Sequence, residues 1–211
     1  VKILITAGPT REPLDPVRYL TNRSSGKMGY ALAHAAAHDG HQVLLISGPT
    51  DLDVPDGVDF IPVETAAEMF EAVQDSLSRM DAAIFAAAVA DYRPATAAEQ
   101  KIKKSGETLT LELVRNPDIL GSCRSHFGFT GTLVGFAAET EHLAAHARTK
   151  LEKKGCDLVV ANDVSQPGIG FDSDRNAVLL VFPDRIESLP EDDKHQLAHR
   201  IIQEIEKIPR D

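Results

Sequence analysis

"KILITAG" (residues 2–8) is a short apolar run ending in glycine, the pattern of a buried β-strand. An alanine-rich stretch with helical spacing follows over 26–39, with Gly40 placed as its C-cap. "QVLLISG" (42–48) is a second buried strand. Strand, helix and strand in that order make a βαβ unit, and a parallel sheet follows from it.

The rest of the chain extends the pattern. "FIPV" (60–63) is a short third strand, and Thr65 with Glu68 three residues on predicts a capping box opening a helix to about Met80. "AAIFAAA" (82–88) is a fourth strand, whose alanines suit close approach by a ligand or another backbone. "KIKKSGETLTLELVR" (101–115) alternates with period two at Leu109, Leu111 and Leu113 beside a Ser-Gly turn. It predicts a β-hairpin or extended flap, with the whole flap at about 92–115.

"NPDILGSCRSHF" (116–127) predicts an extended residue and then a helix. "LVGFAAE" (133–139) and "DLVVAND" (157–163) are strands flanking a helix over 141–154, whose basic C-terminal end suits the helix dipole. "NAVLLVFP" (176–183) is expected as an edge strand, with an antiparallel sense the alternative to a parallel one. "PEDDKHQLAHRIIQEIEKI" (190–208) predicts an amphipathic final helix starting at Pro190. The expected fold is a single α/β domain over 1–211. Its core is a Rossmann-like, doubly wound, mostly parallel sheet with an inserted β-hairpin flap.

Composition narrows the function. With 211 residues, 43% of them hydrophobic, the chain can bury a sizeable core. A net charge of -10 argues against nonspecific nucleic-acid binding. Positive charge nevertheless clusters, at Arg11, Arg18, Arg23 and Lys27 and again in "KIKK" (101–104). Such clusters on an acidic protein fit an anionic small molecule, the alternative being a mixed solvated surface. The apolar runs are too short for a membrane span. The start lacks the layout of a signal peptide, and its opening directly on a strand is expected of a domain cut from a longer chain or of a compact N-terminus. Cys123 and Cys156 are too few for a disulfide framework or zinc site and read as packed residues in a reducing cytoplasm. The eight histidines read as scattered surface residues on helices, with no metal centre expected.

In open α/β sheets, ligands sit beyond the carboxyl ends of the strands. "TNRSSGKMGYALA" (21–33) runs there from a polar loop into a helix. It is not a dinucleotide fingerprint, because Gly8-Pro9-Thr10 follows the first strand. Nor is it a Walker A loop, because Thr21 and Met28 occupy the positions that need glycine and serine or threonine. A helix N-terminus still attracts anions, and Ser24, Ser25 and Gly26 suit an anion cradle, the alternative being an ordinary Ser-capped helix. Lysines 101, 103 and 104 read either as protection of a sheet edge or as a mobile clamp on phosphate. Asp91 suits a ribose hydroxyl or a turn cap. No Tyr-x-x-x-Lys couple follows Tyr19, Tyr30 or Tyr92, and no Gly-x-Ser-x-Gly elbow is present.

Taken together the motifs are specific. "ITAGPTREPLDPVRYLTNRSSGKMG", "AAAVADYRP", "KIKK", "NPDIL", "VGFAAET" and "ANDVSQPGIGFDSDRN" occur in this order. The chain resembles the phosphopantothenoylcysteine synthetase family, in the bacterial form that is usually the C-terminal half of a bifunctional protein. The resemblance implies ligation of 4′-phosphopantothenate to L-cysteine through an acyl-cytidylate made from CTP. Mg2+ would assist through the triphosphate, with few or no protein ligands. It implies that Asn22 holds the acyl intermediate and that Lys101 neutralises charge during cytidylate formation. Arg18 and Ala88 would line the phosphopantothenoyl arm. Nucleotide contacts carry over to Phe85, Ala86, Ala87, Asp91 and Phe136, to Pro117, Asp118, Ile119 and Leu120, and to Lys150 and Lys154.

A homodimer with the flap near the subunit interface is implied, and a phosphopantothenoylcysteine decarboxylase as a fused or separate partner. Decarboxylation and FMN are not expected of this chain. The competing readings are an NAD(P)-dependent reductase on the same fold and a non-catalytic nucleotide-binding module.

Overall fold

The computed structural model describes residues 1–104, 106–139, 141–163 and 173–209. Six parallel strands form the centre: β1 (Lys2–Ala7), β4 (Gln42–Ser47), β5 (Val58–Pro62), β6 (Ala82–Phe85), β9 (Thr132–Glu139) and β10 (Leu158–Asp163). Two antiparallel strands, β11 (Arg175–Val181) and β12 (Ile186–Asp193), extend the sheet. The order is β12-β11-β10-β9-β6-β1-β4-β5. The chain leaves β1 toward β4 and β5, then returns to β6 on the other side. The strand order therefore reverses between β1 and β6.

The pleat divides the core. Ile3, Ile5, Ala82 and Ile84 face the layer of α1 (Lys27–His38) and α5 (Lys194–Glu206). Leu4, Ala83 and Phe85 face α2 (Ala66–Leu77), α3 (Ile119–Ser125) and α4 (Leu143–Lys154). Both faces are covered, so β1 and β6 read as continuous apolar runs. The Thr65–Glu68 capping box opens α2 as the sequence indicates. Gly29 lets α1 lie on β1, since a Cβ there would stand 2.5 Å from Ala7 Cβ.

Four expectations are corrected. The final helix does not begin at Pro190; β12 runs through that residue and α5 starts at Lys194. β12 is the sheet edge, where a proline forfeits no ladder bond. β11 is consequently antiparallel but not the edge. The regular fourth strand stops at Phe85, and 86–91 continues as a loop tied to the end of β1 by an isolated parallel bridge from Ala88 to Pro9.

The fourth correction concerns the flap. No regular strand spans 101–104 or 106–112. Instead β7 (Tyr92–Pro94) pairs antiparallel with β8 (Leu113–Arg115), so the ribbon closes at the base of the flap. Leu109, Leu111 and Leu113 are exposed and supply no buried face to set a longer register. Ser105 of the expected Ser-Gly turn lies outside the described residues, as do 164–172 of the "ANDVSQPGIGFDSDRN" motif.

Candidate active site

The loop between β1 and α1 is long and folds on itself. β2 (Arg11–Pro13) and β3 (Tyr19–Thr21) pair within it as a small antiparallel ribbon. Buried Thr6 and Thr10 stitch this loop to the one after β6. Ala86 N donates to Thr6 O (3.1 Å), Ala87 N to Thr6 Oγ1 (3.3 Å) and Ala90 N to Thr10 Oγ1 (3.0 Å). Ala88 N donates to Gly8 O at 2.9 Å. Gly48 allows the close approach beneath, because a Cβ there would lie 1.7 Å from Pro9 O.

Two cavities open on this rim, at the reversal of strand order. The larger, about 700 Å³, runs from Phe85, Ala87 and Asp91 across the 115–120 segment to α4. The smaller, about 230 Å³, lies over the start of α1 and takes in Ser24, Ser25, Gly26, Ala86 and Ala88. They share Ala87, Val89, Phe136 and Lys150, and so form one cleft.

The anion cradle has a different build from a Ser-capped helix. Gly26, at φ 79°, is the N-cap of α1 and has no side chain with which to cap the helix. Ser24 Oγ accepts from Gly26 N at 3.3 Å rather than from the first helical turn. A helix start of this kind favours an anion in general.

Asn22 is bonded to two residues that line the smaller cavity. Its Nδ2 donates to Ala88 O at 2.5 Å, and its Oδ1 accepts from Ser24 N at 3.2 Å. The side chain joins the cradle to the rim on which Ala88 sits.

The far wall is basic. Arg115, Lys150, Lys153 and Lys154 line the larger cavity. Lys150 Nζ donates to Phe136 O at 2.6 Å, and burial pulls its pKa below the ordinary lysine value. Lys154 pairs with Asp118, which also accepts from Gly121 N (2.9 Å) as the N-cap of α3. Burial works against the Asp118 charge, but these partners hold its pKa below the usual carboxylate value.

Ten expected nucleotide residues line the larger cavity: Phe85, Ala87, Asp91, Pro117, Asp118, Ile119, Leu120, Phe136, Lys150 and Lys154. Arg18, Asn22 and Lys101 line neither cavity. Arg18 is bound to Asp15, and Lys101 is exposed on the flap.

Several lining residues were not singled out from the sequence, among them four polar ones. Asn116 closes the larger cavity, its Nδ2 donating to Ala90 O at 2.8 Å. Asn162, Asn176 and Lys194 close the smaller one. Asn116, Asn162 and Asn176 fall within the quoted motifs and so carried a signal. Lys194 did not, since it was read as an interior position of a longer helix. Cys123 and Cys156 are buried, which pushes both thiols up to about 12 and makes them inert packing residues.

An open parallel sheet with a cleft at its reversal point, walled by lysines and a helix start, defines a Rossmann-like domain built for an anionic ligand. Residues 1–208 match the family described as "DNA/pantothenate metabolism flavoprotein C-terminal domain", and the chain belongs to that family. It is 51% identical over 208 residues to the coenzyme A biosynthesis bifunctional protein CoaBC of Vibrio vulnificus (strain YJ016), covering 98% of this chain and 52% of that protein. Against the Escherichia coli (strain K12) protein of the same name it is 49% identical, covering 97% and 51%. The chain thus spans about half the length of these curated relatives. The crystal structure of the C-terminal domain of a CoaBC protein superposes with a TM-score of 0.83 at 41% identity, covering 97% of this chain and 93% of that one. Among the described residues, no helix is long and apolar enough to cross a membrane.

Proposed function

We propose that this domain joins 4′-phosphopantothenate to L-cysteine, using CTP to activate the carboxylate. The observation that carries the reading is the single cleft. It brings a helix-start cradle, the Asn22–Ala88 pair and a lysine-lined wall together in a chain of this family.

In the first step a carboxylate oxygen of phosphopantothenate attacks the α-phosphorus of CTP. A P–O bond forms, and pyrophosphate leaves with the electrons of the broken one. In the second step the free amine of cysteine attacks the acyl carbon. CMP leaves, and the amine nitrogen loses a proton as the amide forms. Neither step needs a covalent enzyme nucleophile, which suits a cleft without a reactive cysteine.

Lys150, Lys153 and Lys154 suit the triphosphate, and the cradle at Ser24–Gly26 suits a second anionic group. Asn22 is assigned to the acyl intermediate. Its amide already spans the rim and the cradle, so it can orient a carbonyl between them. Lys101 is assigned to cytidylate formation; it lines neither cavity here, so the flap would have to bring it to the cleft.

The cleft fits a metal that arrives with the nucleotide. Its carboxylates are few, and Asp118 is already engaged by Lys154. Mg2+ is held largely by phosphates and water in such sites, and it would neutralise charge on the triphosphate.

The domain is assigned to a homodimer and to a partnership with a decarboxylase domain. Exposed Val17, Tyr19, Tyr92, Leu109 and Leu113 on the ribbon and flap support the first. The bifunctional relatives, twice the length of this chain, support the second. The reading is tested by omitting cysteine and looking for the acyl-cytidylate by mass spectrometry. CTP should yield it and ATP should not; its absence with CTP would remove the reading.

A further inference from the structure

The opposite end of α1 carries a feature the ligation reading does not use. His34 and His38 stand four apart on α1 ("HAAAH"), and His195 and His199 stand four apart on α5 ("HQLAH"). This spacing puts both members of each pair on one helix face. These four histidines are therefore not scattered, and the helix–helix seam brings the pairs together. The His34 ring lies 6.4 Å from that of His38 and 5.8 Å from that of His195. The His38 and His199 rings meet edge to face at 5.3 Å.

Asp39, the C-cap of α1, joins them. Its Oδ1 is 3.2 Å from His38 Nδ1, and its Oδ2 is 3.4 Å from His199 Nδ1. The three donor atoms fall within 4.8 Å of one another. Burial works against the Asp39 charge, but the two histidines hold its carboxyl below the usual range. It is thus an anionic ligand at neutral pH.

We propose that His38, Asp39 and His199 form a binding site for a first-row divalent transition-metal ion, with zinc the best match. Imidazole nitrogens and a carboxylate oxygen are zinc's ligands. A tetrahedral ion with ligands at about 2.0–2.1 Å has ligand–ligand edges of about 3.3–3.4 Å. The two N···O separations are of that size but run to different oxygens of Asp39, so one ion would be held after a turn of the carboxylate or of a ring. Each ring nitrogen would exchange its hydrogen bond to Asp39 for the metal, with solvent completing the shell. Mg2+ and Ca2+ prefer oxygen-only sets, so the site discriminates against the ion that accompanies a nucleotide.

His34 and His195 lie beside the triad and also line a cavity of about 730 Å³. Asp53, Asp56, Asp174 and Asp193 stand on its walls with Lys27 and Lys194, so acidic groups outnumber basic ones there. The 12 residues of α1 set this site roughly 18 Å from the helix start that faces the cleft.

The test uses tag-free, chelator-treated protein titrated calorimetrically with Zn2+ and, separately, Mg2+. One Zn2+ should bind per chain, with no matching Mg2+ signal. His38→Ala and His199→Ala should each weaken Zn2+ at least about tenfold, the lower end of what outer-shell changes alone cost. Both positions are solvent-accessible, and unchanged circular dichroism would show that the variants fold. His126→Ala, on α3's far end, should bind Zn2+ like the parent. Co2+ should give the visible bands of a nitrogen- and oxygen-ligated tetrahedral ion. Absence of Zn2+ binding, or equal binding by the parent and both variants, would overturn the site.

Discussion

Asp15 Oδ2 accepts two hydrogen bonds from the Arg18 guanidinium, at 2.5 and 3.0 Å. The same oxygen accepts a third from Ile102 N at 3.1 Å, and Arg18 Nη2 donates to Ile102 O at 2.9 Å. One carboxylate with no exposed side-chain surface thus clasps the flap beside Lys101 to the β2–β3 ribbon. Asp15→Asn should loosen the flap. Faster hydrogen exchange at Ile102 and a lower ligation rate are the expected outcomes.

The pH dependence has a definite sign. The Arg18 guanidinium beside Asp15 holds its carboxyl well below the usual range, despite the opposing effect of burial. A depressed pKa gives stability that is present above the unfolded value of about 3.9 and lost as pH falls toward the folded one. The stability gap between the parent and Asp15→Asn should be constant from about pH 8 to 5 and shrink below about pH 4. Urea unfolding across that range measures it.

Lys101 and Asn22 should separate the two half-reactions. Lys101→Gln should slow acyl-cytidylate formation by about 100- to 1000-fold. Asn22→Asp should still form the intermediate but let it accumulate, because a carboxylate cannot donate to Ala88 O. Quenched reactions resolved by mass spectrometry distinguish the two, and normal turnover by Asn22→Asp would refute the role given to Asn22.

Glu12 is buried, and its Oε1 accepts from Ala66 N, the first residue of α2, at 2.9 Å. Glu12→Ala leaves that buried N–H without its acceptor and should cost about 1–3 kcal/mol. Glu12→Gln keeps an acceptor and should cost less. Urea midpoints at constant m-value compare them.

Gly48→Ala should disturb the cleft from below. The added Cβ meets the Pro9 carbonyl, which belongs to the segment bridged to Ala88. Overpacking of this kind costs about 1–3 kcal/mol, and here it also shifts the rim. A lower melting temperature with a raised KM for CTP is expected; a change in neither would mean the rim is not rigid.

The central strands were legible because they are buried on both faces. Apolar runs such as "KILITA" and "AAIF" admit few other structures. The Thr65–Glu68 cap was legible because both partners are local. Misreadings fell where tertiary context overrides local signal. Pro190 resembles a helix start, yet an edge strand tolerates it equally well. The flap leucines alternate like a strand but have no core to face. Lys194 enters the cleft because β12 delays the final helix by four residues, and nothing near it in sequence signals that. The histidine pairs were readable as spacings, but their meeting depends on how α1 and α5 pack.

The central claim is tested most directly by following pyrophosphate from phosphopantothenate, L-cysteine, Mg2+ and CTP. The account predicts pyrophosphate and CMP in equal amounts with phosphopantothenoylcysteine, lost when phosphopantothenate or CTP is omitted. No release above background at saturating substrates would contradict it.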